Sequence, residues 1–167
     1  VLVTGGAGYI GSHAVKVLLE KGYEVVVVDN LATGHKEAVD NNAKLYIGDI
    51  ADEAFMHQVF TENDIKGVIH FAAFSLVGES MTNPYKYYEN NVSKTNHLLK
   101  SMVEHNVMNL VFSSTAATYG EPEKTPIEET DPQVPTNVYG QTKLAMEHMI
   151  GWYGKVHGLN SVALRYF

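Results

Sequence analysis

Short apolar runs alternate with longer amphipathic segments along the chain. The pattern predicts strands over about 1–4, 24–29, 43–48, 67–72, 109–113 and 160–166, and helices over about 8–21, 52–63, 84–106 and 137–157. Such alternation builds βαβ units around a parallel sheet. Continuous runs such as Val25-Val26-Val27-Val28 suit strands covered by helices on both faces, so a doubly wound α/β sheet in three α/β/α layers is expected. In the first helix, Ile10, Ala14, Val17 and Leu18 form one stripe expected to face the sheet, with Gly22 as the stop. Asp52 and Glu53 sit where a helix start favours acidic residues. Between Tyr119 and Val138, four prolines predict a loop at a strand's carboxyl end, a candidate wall of a site.

With 167 residues, 45% hydrophobic and 19% charged, one globular domain is expected. Val1 opens inside a strand pattern and Phe167 closes in another, so the chain is expected to be a fragment of a longer protein. The absence of cysteine removes disulfides and thiolate chemistry and suits a reducing compartment. No long apolar run and no secretory leader pattern is present, so no membrane partner and a cytoplasmic location are expected. A net charge of −7 speaks against nucleic acid. None of the eight histidines forms a metal-binding motif, so no metal is expected, and His70 is expected to pack within its strand.

Candidate chemistry begins directly after the first strand. In Thr4-Gly5-Gly6-Ala7-Gly8-Tyr9-Ile10-Gly11-Ser12, Gly6, Gly8 and Gly11 satisfy Gly-x-Gly-x-x-Gly, and Gly5, Gly8 and Gly11 the related spacing with two residues in each gap. Glycines allow a tight turn and let a pyrophosphate approach the helix N-terminus. The strand before and the helix after make this a Rossmann-type unit. Asp29 closes the next strand, where a carboxylate accepts hydrogen bonds from the adenosine ribose and repels a 2′-phosphate. Residues 29–37 hold no arginine and only Lys36 as a fixed cation, so NAD is favoured over NADP. A turn-forming role also fits Asp29 before Asn30. Ser12 stands where a P-loop would carry lysine, which disfavours a nucleoside-triphosphatase.

Tyr139 and Lys143 stand at i and i+4 on one helix face, with the helix start at Thr136 or Asn137. A cation beside a phenol lowers its pKa and makes it a usable base. An ordinary helix-face pair has the same spacing. Ser113, Ser114 and Thr115 end a strand, where a hydroxyl can bond a substrate oxygen or simply satisfy the local backbone.

Taken together, TGGAGYIGSH at 4–13, VVDNLATGH at 27–35, GDI at 48–50, HFAA at 70–73, VGES at 77–80, NNV at 90–92, FSSTAATYG at 112–120, YGQTK at 139–143 and RYF at 165–167 cover essentially the whole chain. In these segments it resembles the extended short-chain dehydrogenase/reductase family, and within it the UDP-hexose 4-epimerases. The resemblance implies a bound NAD that takes hydride from the sugar C4 and returns it to the other face, interconverting UDP-galactose and UDP-glucose. By position, it makes Tyr139 the base, Lys143 the group that binds the nicotinamide ribose, and Thr115 the hydroxyl partner. It assigns Gly5, Gly8, Tyr9, Ile10 and Gly11 to the pyrophosphate turn, and Asp29, Asn30, Leu31, Thr33 and Gly34 to the adenosine ribose. Asp49 and Ile50 fall to the adenine. Phe71, Ala72, Ala73, Ser75, Asn90, Ser113, Tyr166 and Phe167 complete the cofactor pocket, with Ser75, Thr115 and Tyr139 also meeting substrate.

Two positions depart from the family pattern. Ser75 stands where many epimerases carry lysine, and Thr115 replaces the commoner serine. A homodimer through the helices at 84–106 and 137–157 is implied. Residues 1–167 would form the NAD-binding unit, with most of a smaller substrate region outside it, so the isolated piece need not be active. Sister enzymes remain open: a nucleotide-sugar dehydratase, which usually has Asp-Glu where this chain has Ala116-Ala117, or a reductase. A non-catalytic NAD-sensing module remains open too, although such proteins usually lose the Tyr/Lys pair.

Overall fold

A computed structural model describes residues 1–167. Six parallel strands form one sheet: β1 (Leu2–Thr4), β2 (Val26–Asp29), β3 (Lys44–Ile47), β4 (Val68–His70), β5 (Asn109–Thr115) and β6 (Asn160–Tyr166), in the order β3-β2-β1-β4-β5-β6. The order runs outward in opposite directions from β1 and β4. That switch point opens a crevice at the strands' carboxyl ends.

Side chains alternate across the sheet and divide the core in two. Val26 and Val28 join the larger cluster, into which α2 (Glu53–Glu62) sends Met56, Val59 and Phe60. Leu98, Leu99 and Met102 of α5 (Lys94–Glu104) and Met146 and Ile150 of α6 (Val138–His157) fill the same face. Val3, Val25 and Val27 face the other way, against Val15 of α1 (Tyr9–Glu20). The apolar run at 25–28 is thus buried on both sides, as its composition requires. The edge strand β6 is covered by α6 on one face only, and Val162 and Leu164 are exposed on the other.

Three local features differ from the expected pattern. The buried stripe of α1 runs through Gly11 and Val15, while Ile10 and Val17 are exposed. The helix is rotated because its first turn borders the crevice, which Ile10 lines. The expected helix over 84–106 is α4 (Pro84–Tyr87), a π-helical segment (Tyr88–Ser93) and α5. A short helix, α3 (Val77–Thr82), precedes them. It is too short to show a helical period, and Gly78 weakens what signal there is. α6 begins at Asn137, whose side chain accepts from the Gly140 N–H, and Gly158 ends it in the left-handed region. No helix is long and apolar enough to cross a membrane.

Candidate active site

A cavity of about 300 Å³ lies in the crevice. At one end stands the glycine turn. Gly5 has φ +73°, and a Cβ on Gly11 would sit 2.1 Å from the Gly5 carbonyl oxygen, so the turn closes only without side chains there. A Cβ on Gly8 would come no closer than 3.4 Å to the Gly5 oxygen, so the turn itself leaves room there. No side chain caps α1, and its first turn carries no acid. Its leading N–H groups therefore remain available to a ligand, and the partial positive charge of the helix start favours an anion. These features fit a dinucleotide's diphosphate.

Asp29 is buried at the end of β2. One carboxylate oxygen accepts from the Ala7 N–H at 2.9 Å, the other from the Leu31 N–H at 2.8 Å. It therefore ties the glycine turn to the next loop while lining the cavity. Each oxygen keeps a lone pair for a further donor. Beyond it, Asp49 accepts from the Ala51 N–H at 3.0 Å and from Lys94 Nζ at 2.5 Å. Burial works against the Asp49 carboxylate, but the Lys94 and Ala51 bonds win and hold its pKa below the usual value.

At the other end stand Tyr139 and Lys143, placed by α6. The helix's first-turn amide at Tyr139 is held by the buried Ser80 of α3, whose hydroxyl oxygen accepts its N–H at 3.1 Å. Asn91, in the π segment, accepts from the Phe74 N–H at 2.8 Å and donates to the Phe74 carbonyl and the Thr142 hydroxyl, fastening the 71–75 loop to α6. Lys143 is buried and donates to the Ser113 carbonyl at 2.8 Å. Burial pulls its pKa down to about 7, opposed by the Glu147 carboxylate one turn on. Glu147 in turn accepts from Ser114 Oγ and from Nε and Nη2 of Arg165, at 3.1 Å and 2.7 Å.

The expected lowering of the phenol pKa by Lys143 is not what the structure shows. The ammonium lies 6.0 Å from the Tyr139 ring centre and is turned to Ser113. Burial raises the Tyr139 pKa instead, opposed by the Thr115 hydroxyl. Beneath the site, the fully buried His70 joins Thr4 of β1 at 2.6 Å and Thr95 of α5 at 2.8 Å. Burial and the nearby Lys143 push its pKa down to about 3, so it is neutral.

The expected residues Gly5, Gly8, Tyr9, Ile10, Gly11, Asp29, Asn30, Thr33, Asp49, Ile50, Phe71, Ala72, Ala73, Ser75, Asn90, Ser113, Tyr139 and Lys143 line this one cavity. Five others do not. Leu31 (φ +57°) gives its N–H to Asp29, and Gly34 packs on Ala7. Thr115 accepts from the Ala117 N–H at 3.1 Å, capping the turn at Ala116–Thr118 and lying beside Tyr139. Tyr166, the last residue of the edge strand β6, and Phe167 after it are exposed, because no element of the chain packs on them. The proline loop after Tyr119 is no cavity wall either; Arg165 holds its start through the Tyr119 hydroxyl at 2.5 Å. Phe74 lines the cavity too, within the stretch 71–75 expected there, whereas sequence reasoning missed Lys94 at the cavity and the roles of Ser80, Asn91 and Glu147 behind it. Ser80 and Asn91 lie in the VGES and NNV segments without a role assigned to them, and Glu147 continues the Tyr139/Lys143 spacing by four. No three His, Asp or Glu side chains converge on a point that could hold a metal.

Fold and cavity together define a Rossmann-type nucleotide-binding unit with a tyrosine–lysine pair in its cleft. Residues 1–167 match the family model "NAD dependent epimerase/dehydratase family", and the chain belongs to that family. It is 58% identical over its whole length to the UDP-glucose 4-epimerases of Lacticaseibacillus casei and Halalkalibacterium halodurans, covering 50% of each. The crystal structure of the UDP-glucose 4-epimerase from Brucella ovis in complex with NAD is 49% identical over 99% of the chain and 51% of its own, with a TM-score of 0.97. The chain thus spans about half the length of the relatives it matches.

Proposed function

We propose that the protein is a UDP-glucose 4-epimerase, interconverting UDP-galactose and UDP-glucose with NAD held throughout. One observation carries this reading: a single cavity joins the glycine turn and Asp29 at one end to Tyr139 and Lys143 at the other. The relatives' shared name supports the choice of sugar.

The glycine turn and the α1 start hold the diphosphate, Asp29 the adenosine ribose, and Asp49 with Ile50 the adenine. Asn90, Ser75 and the 71–73 loop surround the nicotinamide end, with Ser75 also meeting the sugar. Bound NAD supplies a hydride acceptor whose positive ring also favours tyrosinate. Tyr139 takes the proton of the sugar 4-hydroxyl and later returns it, and Thr115 steadies the phenol oxygen. Lys143 bonds the nicotinamide ribose and keeps positive charge near the phenol. Residues 1–167 form the NAD-binding domain, and the sugar is gripped mainly by a region beyond it. The same reading includes a homodimer, for which Trp152 and Val156 of α6 and Tyr85 supply exposed apolar surface, and a cytoplasmic location.

The full-length protein, as purified and without added NAD, is expected to convert UDP-galactose to UDP-glucose, and Tyr139→Phe to lose about 10²-fold or more of that rate. Folded, NAD-loaded protein that converts neither sugar overturns the proposal. Accumulation of a dehydrated 4-keto product would indicate a dehydratase instead, a reading that Ala116-Ala117 disfavours by placing no acid after Thr115.

A further inference from the structure

The charges in the cavity are unevenly shared. Its charged lining side chains are Asp29, Asp49, Lys94 and Lys143. Lys143 belongs to the tyrosine end, where it is buried and bound to the Ser113 carbonyl. The adenosine end thus holds two carboxylates and a single ammonium, Lys94, and must still admit a doubly negative diphosphate. Backbone N–H groups at the α1 start oppose part of that charge, but they carry only partial positive charge.

Lys94 is the first residue of α5, which packs on the sheet face opposite α1, and it lines the cavity. It pairs with Asp49 at 2.5 Å, with side chains 24% and 34% exposed. An ammonium has three donors, and Asp49 is its one partner here. Asp49 does not depend on it alone, since Ala51 N–H at 3.0 Å and Asn30 Nδ2 at 3.5 Å also donate to the carboxylate. We infer that Lys94 binds the dinucleotide's diphosphate from the side opposite the glycine turn, sharing its ammonium between Asp49 and a phosphate oxygen. The inference rests on the dinucleotide reading of the cavity. It adds a cation at a position none of the expected site residues supplied.

The test is calorimetric binding of NAD, ADP-ribose and adenosine to full-length protein stripped of cofactor. Lys94→Met is expected to weaken NAD and ADP-ribose about tenfold, leave adenosine within about twofold, and shrink the NAD deficit at high salt, where charge interactions are screened. Lys94→Arg keeps the charge and is expected to restore most of the affinity, with unchanged circular dichroism in both variants. NAD affinity unaltered in Lys94→Met overturns the inference. So does an equal loss for adenosine, which would assign Lys94 to orienting Asp49 beneath the base. Wild-type protein that binds none of the three ligands defeats the dinucleotide reading itself, and the role of Lys94 with it.

Discussion

The two ends of the cavity are built on different physics. At the adenosine end, shape comes from the backbone: glycines at Gly5 and Gly11, an uncapped helix start, and Asp29 stitching two loops through their N–H groups. At the tyrosine end, shape comes from ionisable side chains on α6 and the strands beneath it: buried Lys143 and neutral His70, and half-buried Glu147 and Arg165. A backbone site tolerates changes of pH and fails when an atom is added. A charged buried site tolerates small changes of volume and fails when a proton or a counter-charge is moved.

The sharpest break of this contrast is at the glycine turn. Gly11→Ala places a methyl 2.1 Å from the Gly5 oxygen and 2.8 Å from the Gly6 Cα, both backbone atoms that cannot swing away. A loss of about 3 kcal/mol or more is expected in chemical denaturation, a large fraction of a domain's stability. Gly8→Ala meets only an ordinary 3.4 Å contact, so its stability is expected to stay within about 1 kcal/mol of the parent. Its methyl projects where the diphosphate is proposed to lie, so NAD titration should show binding lost. If both variants behave alike, the turn is structural and not a ligand cradle.

The tyrosine end is broken by protons. In the unfolded chain His70 titrates near 6.5 and in the fold near 3, so the unfolded state takes up the proton first. Stability is then whole above pH 6.5 and falls as pH drops toward 3, by at most about 5 kcal/mol. Lys143 follows the same sign higher up: its pKa is near 7 folded against 10.5 unfolded, so stability rises from pH 7 toward 10.5, again by at most about 5 kcal/mol. Melting temperature against pH checks both, read to about pH 9.5 to stay below tyrosine ionisation. His70→Gln should reduce the acid slope alone, whereas Lys143→Met should remove the alkaline rise and also lessen the acid slope, because Lys143 helps hold the His70 pKa down. A slope unchanged by its variant assigns it to some other group.

Glu147→Gln probes the counter-charge. It leaves Arg165 with a neutral partner and Lys143 without its opposing carboxylate, so about 2 kcal/mol of stability is expected to go in denaturation. The alkaline stability slope should also begin at lower pH, because Lys143 loses the one group named as raising its pKa. Stability lost without that move in the slope would make Glu147 a packing residue only.

The same division governs how much the sequence could disclose. Glycine spacing, an acid at the end of β2 and the apolar alternation announce the strand order's elements and the adenosine end, because those signals are local. The tyrosine and lysine are legible as a helical pair, but their partners are not. Ser80 reaches Tyr139 across 59 residues and Asn91 reaches Thr142 across 51, and although both lie in recognisable segments, neither contact leaves a pattern in one chain. The π segment that presents Asn90 and Asn91 has no sequence period to betray it. Lys94 reads as one more charge at the start of a helix until the fold brings it to Asp49. The direction of the Tyr139 shift was misread for the same reason: spacing put a cation nearby, and only the fold shows it turned to Ser113.

Thr115 carries the smallest and most discriminating effect, because two roles meet in one hydroxyl. It caps the turn after β5 through the Ala117 N–H, and it favours the ionised form of Tyr139. Thr115→Val keeps the shape and removes the oxygen, so losing the cap should cost about 1 kcal/mol in denaturation. With the hydroxyl gone, nothing named opposes the burial that raises the phenol's pKa, so the acid limb of the pH–rate profile should move to higher pH. Thr115→Ser keeps the oxygen and should restore both the cap and the profile. A variant that loses the cap's stability yet keeps the profile would confine Thr115 to the backbone, leaving Tyr139 to hold its proton-transfer geometry through α6 alone.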